Sequence, residues 1–159
     1  MKFPIPAKTA MALAISGTLA TGASLASAQV LEEVIVTAQK REQSLMDVPI
    51  SIATMSGERF TSLFEGGADV RALSTRVPGL YIESSNGRVA PRFYIRGLGN
   101  SDFDLAASQP VSVIMDEVVK ENVVLKSFPI FDIDRVEVLR GPQGSLFGRN
   151  TTAGIVKFE

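Results

Sequence analysis

The stretch "DIDRVEVLRGPQGSLFGRN", residues 132–150, reads first as a strand and then as a loop. Val136 and Val138 alternate onto one face of the strand, which marks them as core, and Glu137 falls on the other. A carboxylate on that face needs either water or a partner guanidinium. An exposed strand face meets the first condition, and a paired arginine meets the second. Three glycines, Gly141, Gly144 and Gly148, then punctuate the loop, and Arg140 and Arg149 each sit directly beside a glycine. So do Arg96 and Gly97 further upstream, where "YIRGLG" also carries Gly99.

Working outward, "VPISIATMS" predicts an internal strand. Ser56 is placed as a helix N-cap, with Glu58 in the first turn and Phe60 and Phe64 sharing a face. Val70, Leu73 and Val77 predict a second amphipathic helix, closed by Pro78-Gly79. "LYIES" and "PRFYIRG" read as strands joined through "SNGR", and "VSVIMDEVV" as one buried strand. Between these, "GLGNSDFDLAASQP" is a long polar loop, a length usually reserved for function or disorder. The expectation is an α+β (α/β-like) domain: a small mixed sheet with two or so short helices.

The N-terminus carries a different signal. Lys2 and Lys8 precede an apolar run that ends in Ala26-Ser27-Ala28, the pattern of a secretory signal peptide cleaved before Gln29. Residues 29–47 then hold "EEVIVTA", rich in β-branched residues, followed by the polar "QKREQS". That segment reads either as a lone strand on a flexible tether or as the first strand of the core. The core domain is assigned to residues 48–159.

Composition removes whole classes of chemistry. Histidine and cysteine are both absent, so the commonest general base, the commonest metal ligands and every thiol nucleophile are missing. No metal or cofactor site and no catalytic residue is expected, and the chain is read as a non-enzyme. A hydrolase built from Asp, Glu, Ser and Lys alone is the weakest of the alternatives. With 16 Lys+Arg against 17 Asp+Glu there is no basic excess to hold a nucleic acid. The glycine spacing of "GLGNSD" and of "GPQGSLFGRNTT" fits neither a dinucleotide fingerprint nor a phosphate-binding loop.

"LEEVIVTAQKREQSLMDVPISI", "YIRGLG" and "DIDRVEVLRGPQGSLFGRN" together resemble the N-terminal plug of TonB-dependent outer-membrane receptors, in order and spacing, over residues 31–150. The resemblance implies a plug that fills a 22-stranded β-barrel and takes part in uptake of a scarce small-molecule nutrient such as a ferric siderophore. It assigns Leu31, Glu32, Glu33, Val34, Ile35, Val36, Thr37 and Ala38 to the TonB box, which the TonB C-terminal domain would bind as an added strand. It assigns Arg96, Glu137, Arg140 and Arg149 to plug–barrel or intraplug ion pairing. Gly97, Gly99, Gly141, Gly144 and Gly148 are its structural loop glycines, those between Arg140 and Asn150 letting the backbone lie close to the barrel wall, and the loops after Gly87 and Gly97 are the candidates to face the ligand.

After Asn150 only "TTAGIVKFE" remains, far short of the strands a barrel needs, and tryptophan is absent. The sequence is therefore read as a plug without its barrel, a fragment or truncated product. The alternative is a free-standing periplasmic plug-like binding module. The implied location is the outer membrane within a full receptor, or the periplasm if the chain stands alone.

Overall fold

A computed structural model describes residues 33–64, 69–85, 87–128 and 132–159. The expected signal peptide and its cleavage site lie outside them, as do Leu31, Glu32 and Asn86. Nine strands are found among the described residues: β1 (Ile35–Val36), β2 (Gln43–Ser44), β3 (Ser51–Ser56), β4 (Leu80–Glu83), β5 (Arg92–Ile95), β6 (Val111–Met115), β7 (Val118–Lys120), β8 (Arg135–Arg140) and β9 (Gly154–Phe158).

Five of them form the main sheet in the order β3-β8-β9-β6-β7, antiparallel except for the parallel β6–β9 pair. This mixed sheet with short helices agrees with the expected class. Its central strand is "GIVKF", which the sequence reading assigned to no element of the sheet. Gly154 makes that position possible: a Cβ there would lie 2.2 Å from the Leu139 carbonyl oxygen, so no other residue fits without moving β8.

Period-2 alternation gives the sheet two buried faces. Val111, Val113, Val136, Val138, Val156 and Phe158 point to one side. There they meet Phe60 from the helix Gly57–Phe64, Leu73 from the 3₁₀ helix Val70–Thr75, and the β4–β5 hairpin. Phe60 and Phe64 stack with centroids 4.2 Å apart, as their i, i+4 spacing predicts. The opposite face carries Ile114, Leu139 and Ile155 under Val36, Ala38, Val48 and Phe147.

Ser56 ends β3 and directly precedes the helix Gly57–Phe64, the position expected of its N-cap, and Gly57 fits there because the Ile133 and Asp134 carbonyls lie where a Cβ would be. Three local expectations need correction. The second helix is a short 3₁₀ turn, capped by the Asp69 side chain accepting from the Arg71 N–H. "VSVIMDEVV" is a hairpin, β6 and β7, folded at Asp116-Glu117, both at positive φ. That is the two-residue geometry favouring Asn-Gly, built here from acids. The turn after β4 is also wider than expected, since Glu83 pairs with Arg92.

Candidate functional site: the N-terminal segment and the charged residues of the sheet

The N-terminal segment does not hang free. β1 pairs with β2, Ile35 opposite Ser44 and Val36 opposite Gln43. A tight turn at Lys40, whose φ is 58°, joins them, with the Lys40 N–H donating to the Thr37 carbonyl at 2.9 Å. Val36 and Ala38 are fully buried in the second core cluster, whereas Val34 and Ile35 stay 44% and 40% exposed. The flexible-tether assignment of residues 29–47 is thus corrected over its described part. The core starts at Val36 rather than Val48, because Val36 and Ala38, two residues apart, both turn onto the sheet face that carries Ile114, Leu139 and Ile155.

Thr37, between those two, carries the polar attachment. Its backbone N–H donates to Glu137 Oε1 at 2.8 Å, and its hydroxyl accepts from Lys157 Nζ at 2.9 Å. Glu137 is fully buried and also accepts from Arg135 Nε at 2.9 Å. Of the two sequence-level alternatives, the partner guanidinium holds and the exposed face does not. Lys157, equally buried, makes ion pairs of 2.5 Å with both Glu117 and Glu159. Burial alone would lower its ammonium, but hydrogen bonds to the two carboxylates prevail and raise it above the usual lysine value.

The three arginines singled out by sequence part company. Arg149 pairs within the chain, its Nε 3.0 Å and Nη2 2.6 Å from the two Glu121 oxygens, and this fork holds the Glu121 carboxyl below its usual range. Arg140 reaches the Pro78 carbonyl through Nε at 3.2 Å and Nη2 at 3.0 Å, and the Ser51 hydroxyl through Nη1 at 3.3 Å. Arg96, in a turn at φ 51°, donates its N–H to the adjoining Gly79 carbonyl at 2.7 Å. Partial burial, and then the charge of Arg96, lower the Arg140 guanidinium. Neither Arg96 nor Arg140 has a carboxylate partner among the described residues.

The loop glycines serve different local needs. Gly97, Gly141 and Gly148 adopt positive φ, and Gly144 opens the helical turn Gly144–Phe147. Gly99 lies against the Tyr94 ring, where a Cβ would come within 1.9 Å of a ring carbon. The loop beyond it stays exposed, ordered by Asn100, Asp102 and Asp104 accepting successive backbone N–H groups. At its base Arg92, buried in β5, packs under the Phe103 ring at 4.5 Å and donates to the Asp102 carbonyl.

Sequence reasoning missed Arg135, Lys157, Glu117, Glu159 and Arg92. The alternation in "GIVKF" was the available signal, because it puts Lys157 on the Ile155 face. The register that sets it opposite Glu137 is a tertiary fact.

A small mixed sheet with the N-terminal segment packed on one face, and arginine-bearing loops at its ends, is the architecture of a plug domain. The chain belongs to the TonB-dependent receptor plug domain family, whose model matches residues 44–155. It is 28% identical over 156 residues to the vitamin B12 transporter BtuB of Vibrio vulnificus (strain CMCP6), covering 94% of this chain and 24% of that protein. It is 29% identical over 152 residues to the pesticin receptor of Yersinia pestis, covering 91% of this chain and 21% of the receptor.

Among solved structures, the ferric yersiniabactin uptake receptor FyuA from Yersinia pestis superposes with a TM-score of 0.60 at 26% identity, over 69% of this chain and 16% of that one. The FpvAI–pyocin S2 complex shares the fold, with a TM-score of 0.58 at 16% identity, over 78% and 15% of the two chains. The chain thus spans about a quarter of the length of the curated relatives it matches. No helix among the described residues is long and apolar enough to cross a membrane.

Proposed function

We propose that this chain is the gating and energy-coupling plug of an outer-membrane receptor that imports a scarce small-molecule nutrient such as a ferric siderophore, with no enzymatic activity of its own. The observation that carries the reading is the state of the N-terminal segment. Its β-branched residues Val34 and Ile35 are presented to solvent while Thr37 is fastened to the two central strands. A partner that adds a strand to residues 31–38 gains directional backbone hydrogen bonds. Its pull reaches β8 and β9 through one residue.

The barrel half of the proposal rests on Arg96 and Arg140. Two neighbouring guanidinium groups without a carboxylate partner among the described residues suit acidic groups from a surrounding wall. Arg149 and Glu137 are left as intraplug pairs. In this reading the loop beyond Gly97 faces the nutrient, and the protein resides in the outer membrane as part of a full receptor.

Titration with a purified TonB C-terminal domain tests the coupling role. Binding by the full chain is expected, weakened much more by Ile35→Pro than by Ile35→Val, since proline removes a donor and fixes φ. Equal binding by the two variants would exclude strand addition here.

A further inference from the structure

Lys126 is a buried cation that none of the foregoing uses. It closes the 3₁₀ helix Val123–Lys126 and is 1% exposed. An ammonium carries three donors, yet among the described residues Nζ has one hydrogen-bond partner, the Val111 carbonyl at 2.9 Å. The carboxylate that acts on it, Glu121, is itself held by Arg149. Lys157, the other buried lysine, has two carboxylates and a hydroxyl around it. Burial accordingly pushes Lys126 down from 10.5 to about 8, with Glu121 opposing.

The segment that Lys126 fastens is short and lies beside a cavity. Residues 121–128 are held by Val123 and Lys126 beneath, by the Phe128 ring packed edge-on to Phe158 at 5.3 Å, by the Asn122 side chain capping Val124 N–H, and by Ser127 donating to the Arg88 carbonyl. Glu121 and Asn122 also line a cavity of about 300 Å³, completed by residues 105–108 and by Arg149 and Asn150.

We infer that Lys126 is a proton-operated pin: residues 121–128 lie closed on the sheet when its amine is neutral and open when it takes a proton, which moves one wall of that cavity. The direction follows from linkage. Water solvates the ammonium in the open form, so the open form binds the proton more tightly and closing is favoured as pH rises from 7 to 9.5.

Amide hydrogen exchange on the full chain, corrected for the intrinsic rate at each pH, reads this directly. Protection of residues 123–127 relative to β8 is expected to rise roughly tenfold or more between pH 7 and 9.5. In Lys126→Met it should sit at the higher level at both values. An equal rise in Lys126→Met, or no rise in the wild type, overturns the inference. Should the variant not fold, the Lys126 ¹³Cε titration of the wild-type chain decides. A midpoint displaced below the ordinary lysine value of 10.5, coinciding with the rise in protection, supports the pin, and an undisplaced midpoint at 10.5 overturns it.

Discussion

Glu137 and Lys157 stand opposite each other across the β8–β9 pair, both fully buried, and both are bonded to Thr37. Each also has charged partners that do not involve the N-terminal segment: Arg135 for Glu137, and Glu117 and Glu159 for Lys157. Removing the segment would therefore leave no isolated buried charge. What holds the segment is the hydrogen bonding of one neutral residue, chiefly its N–H to Glu137 and its hydroxyl accepting from Lys157 with longer contacts to Glu137 and Glu159, plus the burial of Val36 and Ala38. That is an attachment firm enough to order the chain and weak enough to reverse.

Thr37→Val tests that balance. It keeps the backbone bond to Glu137 and the side-chain shape, and deletes the acceptor for Lys157. A hydrogen bond to a charged group contributes about 1.5–3 kcal/mol. Lys157 keeps its two carboxylates, so the expected loss lies at or below the low end, about 1 kcal/mol in urea unfolding. Trypsin should cleave at the exposed Lys40 and Arg41 several times faster while β8 and β9 stay folded. Unchanged cleavage would show that Thr37 does not hold the segment.

Lys157→Met should be far more damaging. It leaves Glu117 and Glu159 facing each other beside a buried thioether, and breaking one partner out of such a group costs about 3–5 kcal/mol. Glu117 is half exposed and can turn to water, so the low end is expected. The double change Lys157→Met with Glu117→Gln should recover part of the loss. Urea midpoints of the three chains give the coupling, and additive losses would count against a shared network.

The core strands were legible because alternation is local: Val136 with Val138, Phe93 with Ile95 and Leu80 with Ile82 all face inward as read. So were the loop arginines, because each sits beside a glycine. What escaped was everything set by pairing at long range. Glu137 is buried only because Thr37, a hundred residues earlier, lies over it. "GIVKF" is central only because β8 and β6 flank it. Nor does "VSVIMDEVV" announce its fold at Asp116-Glu117, since Asp tolerates the left-handed region but Glu does not favour it and no glycine marks the turn. The tether reading failed for the same reason, as polar residues at 39–44 can line a hairpin as well as a linker.

Acid should loosen the layer above the sheet first at Asp69. The Arg71 side chain bonds both its oxygens and holds its carboxyl below the ordinary value of 3.8, against the opposing effect of burial. A depressed carboxylate contributes stability that is present above the unfolded value and is lost as pH falls through the folded one. Arg71 is largely open to water, so screening limits the contribution to roughly 0.5–1 kcal/mol. Asp69→Asn keeps an acceptor for the Arg71 N–H but removes the charge. Its unfolding free energy should fall by that amount at pH 7 and converge on wild type as pH falls through the folded carboxyl's depressed value. A constant gap at all pH values would show that the carboxylate charge plays no part.

Arg96 offers opposite signs in two settings. In the isolated chain its side chain is exposed, has no carboxylate partner among the described residues, and its charge acts against the Arg140 guanidinium. Arg96→Gln relieves that repulsion and leaves the backbone bond to Gly79 in place, so the isolated chain should be unchanged or stabilised by up to about 0.5 kcal/mol. Arg140→Gln should instead destabilise it by about 1 kcal/mol, through the lost bonds to the Pro78 carbonyl. Inside a barrel the proposed role reverses the first result, because the wall carboxylates that Arg96 would meet are left buried and unpaired. Thermal melts of the isolated variants, beside the fraction of plug retained by a co-expressed barrel, give both signs. An Arg96→Gln chain that is retained as well as wild type would remove Arg96 from the plug–barrel contact and leave Arg140 to carry it.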